Sequence, residues 1–187
     1  MAKSVNLALL SKANFLSLDE FRKYEKMLSQ RGIINHLGER ERDSICALVS
    51  YLKEVEIEVF DCFYYSYSIP KIGKEFDLLK FGKKFILSIE LKSENVGLDR
   101  IKTQLVLNKR YLKYLGIPLK LYTFVMEDFT LYKLDENNQL IKACKEEIVA
   151  DLYALKDEDD VDIDSLFQAC DYLVSPTIEV EIGRAHV

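Results

Sequence analysis

Apolar and polar residues alternate most sharply across FILSIELKSE, residues 85–94. A β-strand sends successive side chains to opposite faces. Phe85, Leu87, Ile89 and Leu91 therefore share one face, and Ile86, Ser88, Glu90 and Lys92 the other. Together with the preceding run KEFDLLKF, the segment reads as a β-hairpin turning around Gly82, with Glu75 and Asp77 on one face of its first strand and Phe76 and Leu78 on the other. Residues 56–69, EIEVFDCFYYSYSI, are rich in aromatic and β-branched side chains and read as a strand ended by Pro70. PLKLYTFVME is a further strand, and FTLYKLDENNQLIKA a second hairpin turning at DENN.

Other segments carry helical spacing. Residues 17–32 open with Ser17 and Glu20, a capping-box pair, and close at Gly32. In residues 37–55, Ile45, Leu48, Val49 and Leu52 form one stripe. Residues 98–116 predict an amphipathic helix ended by Gly116, and two more helices are expected at 145–155 and 163–173. The predicted class is α/β: a mixed central sheet flanked by helices, with a peripheral hairpin and C-terminal helices. The expected divisions are an N-terminal helical extension (1–36), a core (37–126), a C-terminal hairpin and helices (127–180), and a tail (181–187).

Composition narrows the picture. A chain of 187 residues, 49% hydrophobic and 30% charged, suits one globular domain with a proper core. No run is apolar enough to span a membrane, and MAKSVNLALLSKANF is too short and charged for a signal peptide. Cys46, Cys62, Cys144 and Cys170 are scattered without a CxxC pair, which argues against zinc and disulfide frameworks and fits a cytoplasmic setting. The net charge of −5 hides an uneven distribution: residues 71–120 hold 12 Lys/Arg against 5 Asp/Glu. Such a basic centre attracts a polyanion even in an acidic chain, because the local field governs encounter. The acidic run KDEDDVDID reads as a solvated face. The last seven residues, EIGRAHV, resemble the translation of a sequencing adapter and read as a non-native tail. On that reading the natural polypeptide continues past about Val180; a designed tag or a natural tail is the alternative.

The hairpin carries the candidate chemistry. Pairing about Gly82 can bring Asp77 near Glu90 and Lys92, in a register that the sequence alone does not determine. Two close carboxylates repel unless a proton, a cation or a metal intervenes. Hard divalent ions take one or two carboxylates together with waters and phosphate oxygens. An adjacent lysine can orient a water or stabilise charge developing on phosphorus. The plainer reading of Glu90 and Lys92 alone is an ordinary ion pair on a strand.

FD followed thirteen residues after the Asp by ELK resembles the PD-(D/E)xK nuclease superfamily, over roughly residues 37–126. The family's order of helix, three-stranded meander, helix and strand matches the predicted elements, and the resemblance implies a restriction-endonuclease-like core. Phe76 stands where the family name has proline. By this likeness Asp77, Glu90 and the Leu91 carbonyl would hold Mg²⁺ or Mn²⁺, with Lys92 as the catalytic lysine. Many members add a glutamate from the first core helix. Glu41 shares the stripe of Ile45 and Leu48 and is the first choice, and Glu39, following Gly38 as in the nuclease-related domain, is the second. Some members add Gln and Tyr on the next helix. Gln104 and Tyr111 answer to these, seven apart rather than four, with Asn108 between them.

The implied activity is metal-dependent hydrolysis of DNA phosphodiester bonds. Lys102, Lys109, Arg110, Lys113 and Tyr111 are candidate nucleic-acid contacts, against the plainer reading of a solvated helix surface. FYYSY offers base stacking or, more simply, core packing. His36 reads as a loop or helix-entry residue, and no Ser-His-Asp set, P-loop or dinucleotide motif is present. DIDSLFQACDYLVSPT resembles the segment joining such modules to a helicase-type ATPase in some bacterial proteins, which implies a helicase partner and a role in DNA repair or defence. No membrane partner is expected, and a homo-oligomer is open. The alternatives are an RNase of the same fold and a catalytically inactive module that binds nucleic acid or protein.

Overall fold

The computed structural model describes residues 2–29 and 37–168. His36, Cys170 and the tail lie outside them, as does the end of the helix expected at 163–173. Three helices lead the chain: α1 (Leu7–Ser11), α2 (Leu18–Ser29) and α3 (Glu39–Tyr51). An antiparallel meander follows, β1 (Phe63–Ser68), β2 (Glu75–Phe81) and β3 (Ile86–Lys92). Helix α4 (Leu98–Leu112) crosses over to β4 (Leu119–Val125), which runs parallel to β3. The hairpin β5 (Thr130–Leu134) and β6 (Leu140–Ala143) then adds two antiparallel strands, and α5 (Lys145–Ala154) and α6 (Ile163–Gln168) follow. The result is a six-stranded mixed sheet with the strands in sequence order, an α/β architecture. No helix among the described residues is long and apolar enough to cross a membrane.

Period-two alternation gives the sheet two apolar faces and hence two cores. Leu87, Ile89 and Leu91 of β3 join Tyr122 and Phe124 of β4 under α1, α3 and α5. Ile86 of β3 joins Leu121 and Val125 under α4 and α6, where Ile101, Leu105 and Leu112 supply the helical stripe. The face assignments read from FILSIELKSE therefore hold. Ser17 and Glu20 form the expected capping box, with the Ser17 amide donating to Glu20 Oε2 at 3.0 Å. Buried Glu25 ties α2 to the sheet, accepting from the Tyr65 hydroxyl at 2.7 Å and the Leu37 amide at 3.0 Å. Gly82 allows a close approach: a Cβ there would lie 2.3 Å from Leu155 Cδ2 at the end of α5.

Three expectations change. The strand expected at 56–69 begins only at Phe63; Ile57–Phe60 is a 3₁₀ turn that buries the consecutive Val59 and Phe60, and Cys62 turns at φ 59°. Val59 and Phe60 both face the first core, which a tight helical turn allows and a strand, with successive side chains on opposite faces, does not. Leu7 and Leu10, in the short apolar patch near the N-terminus, form a helix that belongs to the main core. Lys80, counted in the basic centre, is fully buried; it donates to the Val59 carbonyl at 2.9 Å and lies over Phe63, so it contributes nothing to an outer basic surface.

Candidate active site

Asp77 sits where the sheet ladder lapses. The β1–β2 register pairs Tyr65 with Leu78 and Tyr67 with Phe76, skipping Ser66 and Asp77, and Ser66 holds a left-handed φ of 45°. On the other side the β2–β3 ladder ends at Leu78 and Ile89. The strict alternation expected for β2 slips here: Leu78 packs in the first core but Phe76 in the second, with Tyr67 and Phe167. With the backbone turned away, the Asp77 side chain takes the place of a ladder carbonyl. Its Oδ2 accepts from the Leu91 amide at 2.7 Å. A strand residue's N–H and C=O leave on the same side, so the Leu91 carbonyl faces this gap as well.

Glu90 lies one residue beyond that ladder, on the α4 face, and is buried. Lys92, at the end of β3, donates to Glu90 Oε1 at 3.2 Å, and Asn108 of α4 donates to Oε2 at 2.9 Å. Asn108 in turn accepts from Gln104 at 3.1 Å, so the Gln104 expectation is met through an intermediary. Asp77 is pushed up to about 7, first by burial and then by the Glu90 charge, with the Leu91 amide and Lys92 opposing. Burial and a neighbouring carboxylate both disfavour the charged form of Asp77, which is why its carboxyl holds a proton more tightly.

The remaining expected residues distribute unevenly. Glu41 lies near enough to Asp77 to add to its repulsion, yet its own carboxylate accepts from the Gly38 amide at 2.9 Å, capping α3. Glu39 is exposed at the start of the same helix. Among the described residues no three His, Cys, Asp or Glu side chains cluster closely enough to hold a metal ion. The oxygens gathered at the gap are two carboxylates and a main-chain carbonyl, a donor chemistry suited to a hard divalent ion that keeps several waters. Tyr111 is buried in the second core. Lys102 and Lys109 donate to Gln139 at 3.2 Å and Asn138 at 2.7 Å, binding α4 to the β5–β6 turn, and Lys113 lies over the Tyr114 ring.

Comparison with protein-family descriptions, curated proteins and solved structures finds no match. The geometry stands by itself.

Three residues at this site were given no role from sequence, although Asn108 was noted between Gln104 and Tyr111. Asn108 is wholly buried in the apolar stripe of α4; an amide at a core-facing helix position was the available signal. Thr123 pairs with Glu90 across β3 and β4, on the face it shares with Leu121 and Val125. Its hydroxyl is fully buried and finds no hydrogen-bond partner among the described residues. Lys74, just ahead of β2, lies within the field of both Glu90 and Asp77, and no local pattern marks it. The Thr123 hydroxyl carries a direct expectation. Thr123→Val keeps the shape and removes an unpaired polar group, so thermal unfolding should show stability unchanged or raised by about 1 kcal/mol. A clear loss of stability would mean that the hydroxyl makes a bond essential to the fold.

Proposed function

We propose that this chain is a metal-dependent nuclease hydrolysing DNA phosphodiester bonds, with the αβββαβ segment from α3 to β4 as a restriction-endonuclease-like core of the PD-(D/E)xK superfamily. The observation that carries the reading is the convergence of Asp77, Glu90 and Lys92 at a break in the sheet, with Glu90 fixed from behind by Asn108. Asp77, Glu90 and the Leu91 carbonyl would hold Mg²⁺ or Mn²⁺. Such an ion, when bound, lowers the pKa of a coordinated water and offsets charge on the phosphate.

The chain's own residues supply the rest. The Leu91 amide and Asn108 fix the two carboxylates from opposite sides, so each keeps a defined orientation before substrate arrives. Lys92, partly exposed at the strand end, can leave Glu90 Oε1 to orient a water or to meet a non-bridging phosphate oxygen. Gln104 holds Asn108 in the rotamer that serves Glu90. A helicase-type partner and a role in DNA repair or defence belong to the same reading.

One observation favours a second reading, a catalytically inactive module that binds nucleic acid or protein. Asp77, Glu90 and Glu41 all have hydrogen-bond partners within the chain, and Glu41 is turned to its own helix terminus. Digestion of labelled linear and circular DNA, with RNA alongside, separates the readings. Cleavage of DNA with Mg²⁺ or Mn²⁺ and none in EDTA supports the nuclease. Binding that ignores both metal and EDTA, with every strand intact, supports the module.

A further inference from the structure

We infer that Lys74 is a phosphate-binding residue of this site, holding the substrate backbone beside Lys92 across the Asp77–Glu90 pair. The inference rests on the nuclease reading and names how that site takes its anionic substrate.

The turn between β1 and β2 fixes where Lys74 stands. Lys71 and Gly73 both adopt left-handed φ, 69° and 72°, and the Ile69 amide donates to the Lys74 carbonyl at 2.8 Å. The chain thus reverses within a few residues and delivers Lys74 just before β2, three residues ahead of Asp77. The Lys74 ammonium donates to the Glu75 carbonyl at 2.6 Å and lies 4.9 Å over the Phe76 ring. One of its three N–H donors is used by that carbonyl.

Its electrostatic neighbours are Glu90, Asp77, Lys92 and Glu75. Burial holds the ammonium below the ordinary lysine range, while the three carboxylates favour its charged form. A phosphodiester approaching two carboxylates alone meets net repulsion. Lys74 and Lys92 set two cations against the Asp77–Glu90 pair, with Glu75 a third carboxylate near Lys74, and the exposed Lys71 extends the basic edge outward. Lys102 and Lys109 are engaged with the β5–β6 turn, whereas Lys74 lies in the field of the carboxylates.

A purely structural counter-ion would also explain a lysine here, so the test reads phosphate contact and stability separately. The variants are Lys74→Met, which keeps an unbranched side chain without the charge, and Lys74→Arg, which keeps the charge. Binding of a short fluorescein-labelled DNA duplex is followed by anisotropy at rising salt with Ca²⁺ in place of Mg²⁺, and thermal unfolding is recorded for each protein. The expected result for Lys74→Met is a binding slope against log salt shallower by about 0.9, equivalent to about 8-fold weaker binding near 0.1 M salt, with Lys74→Arg close to wild type. Lys74→Gln supplies the same comparison if the methionine variant is unfolded. A folded, uncharged variant with wild-type affinity and slope overturns the inference while leaving the nuclease reading intact, provided the wild type cleaves DNA with Mn²⁺. A wild type that neither binds the duplex nor cleaves it overturns both.

Discussion

Lys92→Ala should reduce metal-dependent DNA cleavage by roughly 10²–10³-fold or more while leaving the protein folded. The side chain ends β3 and reaches Glu90 Oε1 at 3.2 Å, with its ammonium partly open to solvent. Its removal takes away the cation bonded to Glu90, but not the Asn108 bond that keeps Glu90 in place. A partly exposed ion pair contributes on the order of 1 kcal/mol, too little to unfold the domain. Initial cleavage rates with Mn²⁺, measured beside thermal unfolding, check both halves of the expectation. Undiminished cleavage by the folded variant would remove Lys92 from the mechanism and would point to Lys74 as the principal cation.

Asp77→Asn should separate stability from activity in the opposite direction. In the folded protein the Asp77 carboxyl is pushed up to about 7 from its ordinary value of 3.8, chiefly by burial and next by Glu90. Folding therefore favours the protonated form. The folded state keeps a proton that the unfolded chain releases between about pH 4 and 7, so this group makes stability fall as pH rises through that window. Above it the penalty is constant, on the order of 2–4 kcal/mol without a bound cation. Asparagine has no charge to bury and still offers an oxygen to the Leu91 amide. The metal-free variant should therefore be more stable than wild type at pH 8 by about that amount and nearly equal to it at pH 4. Denaturant unfolding in EDTA at the two pH values reads the difference. The same variant should lose cleavage, because a neutral amide is a poor partner for a hard cation. Equal stability at pH 8 would show that the carboxylate is well compensated in the folded protein.

Much of the fold was legible because its signals are local. Alternation assigned the faces of β3, the Gly82 turn joined β2 to β3, and the stripe in residues 98–112 gave α4. Gly116 stopped the helical segment where the left-handed φ of 71° favours a residue without a side chain. The hairpin allowed Asp77 to approach Glu90 and Lys92, and the register that pairs Leu78 with Ile89 was supplied by the structure.

The environment of those residues was not legible, and the reason is physical. Whether Asp77 faces a core or bonds a backbone amide depends on two ladders lapsing at once, beside a left-handed Ser66 that a strand pattern does not reveal. Whether Glu41 turns to the pair or caps its own helix is decided by local backbone geometry, which presents the Gly38 amide to its carboxylate. Thr123 and Asn108 meet Glu90 only because β4 lies beside β3 and α4 packs over both, contacts that join residues distant in sequence. The sequence by itself determined most of the strands and helices, and that two carboxylates and a lysine lie on one hairpin, because periodicity and turn chemistry act over a few residues. Only the tertiary structure decided which groups are buried, which are paired and which cation stands next to them, because burial and charge compensation are properties of the packed sheet.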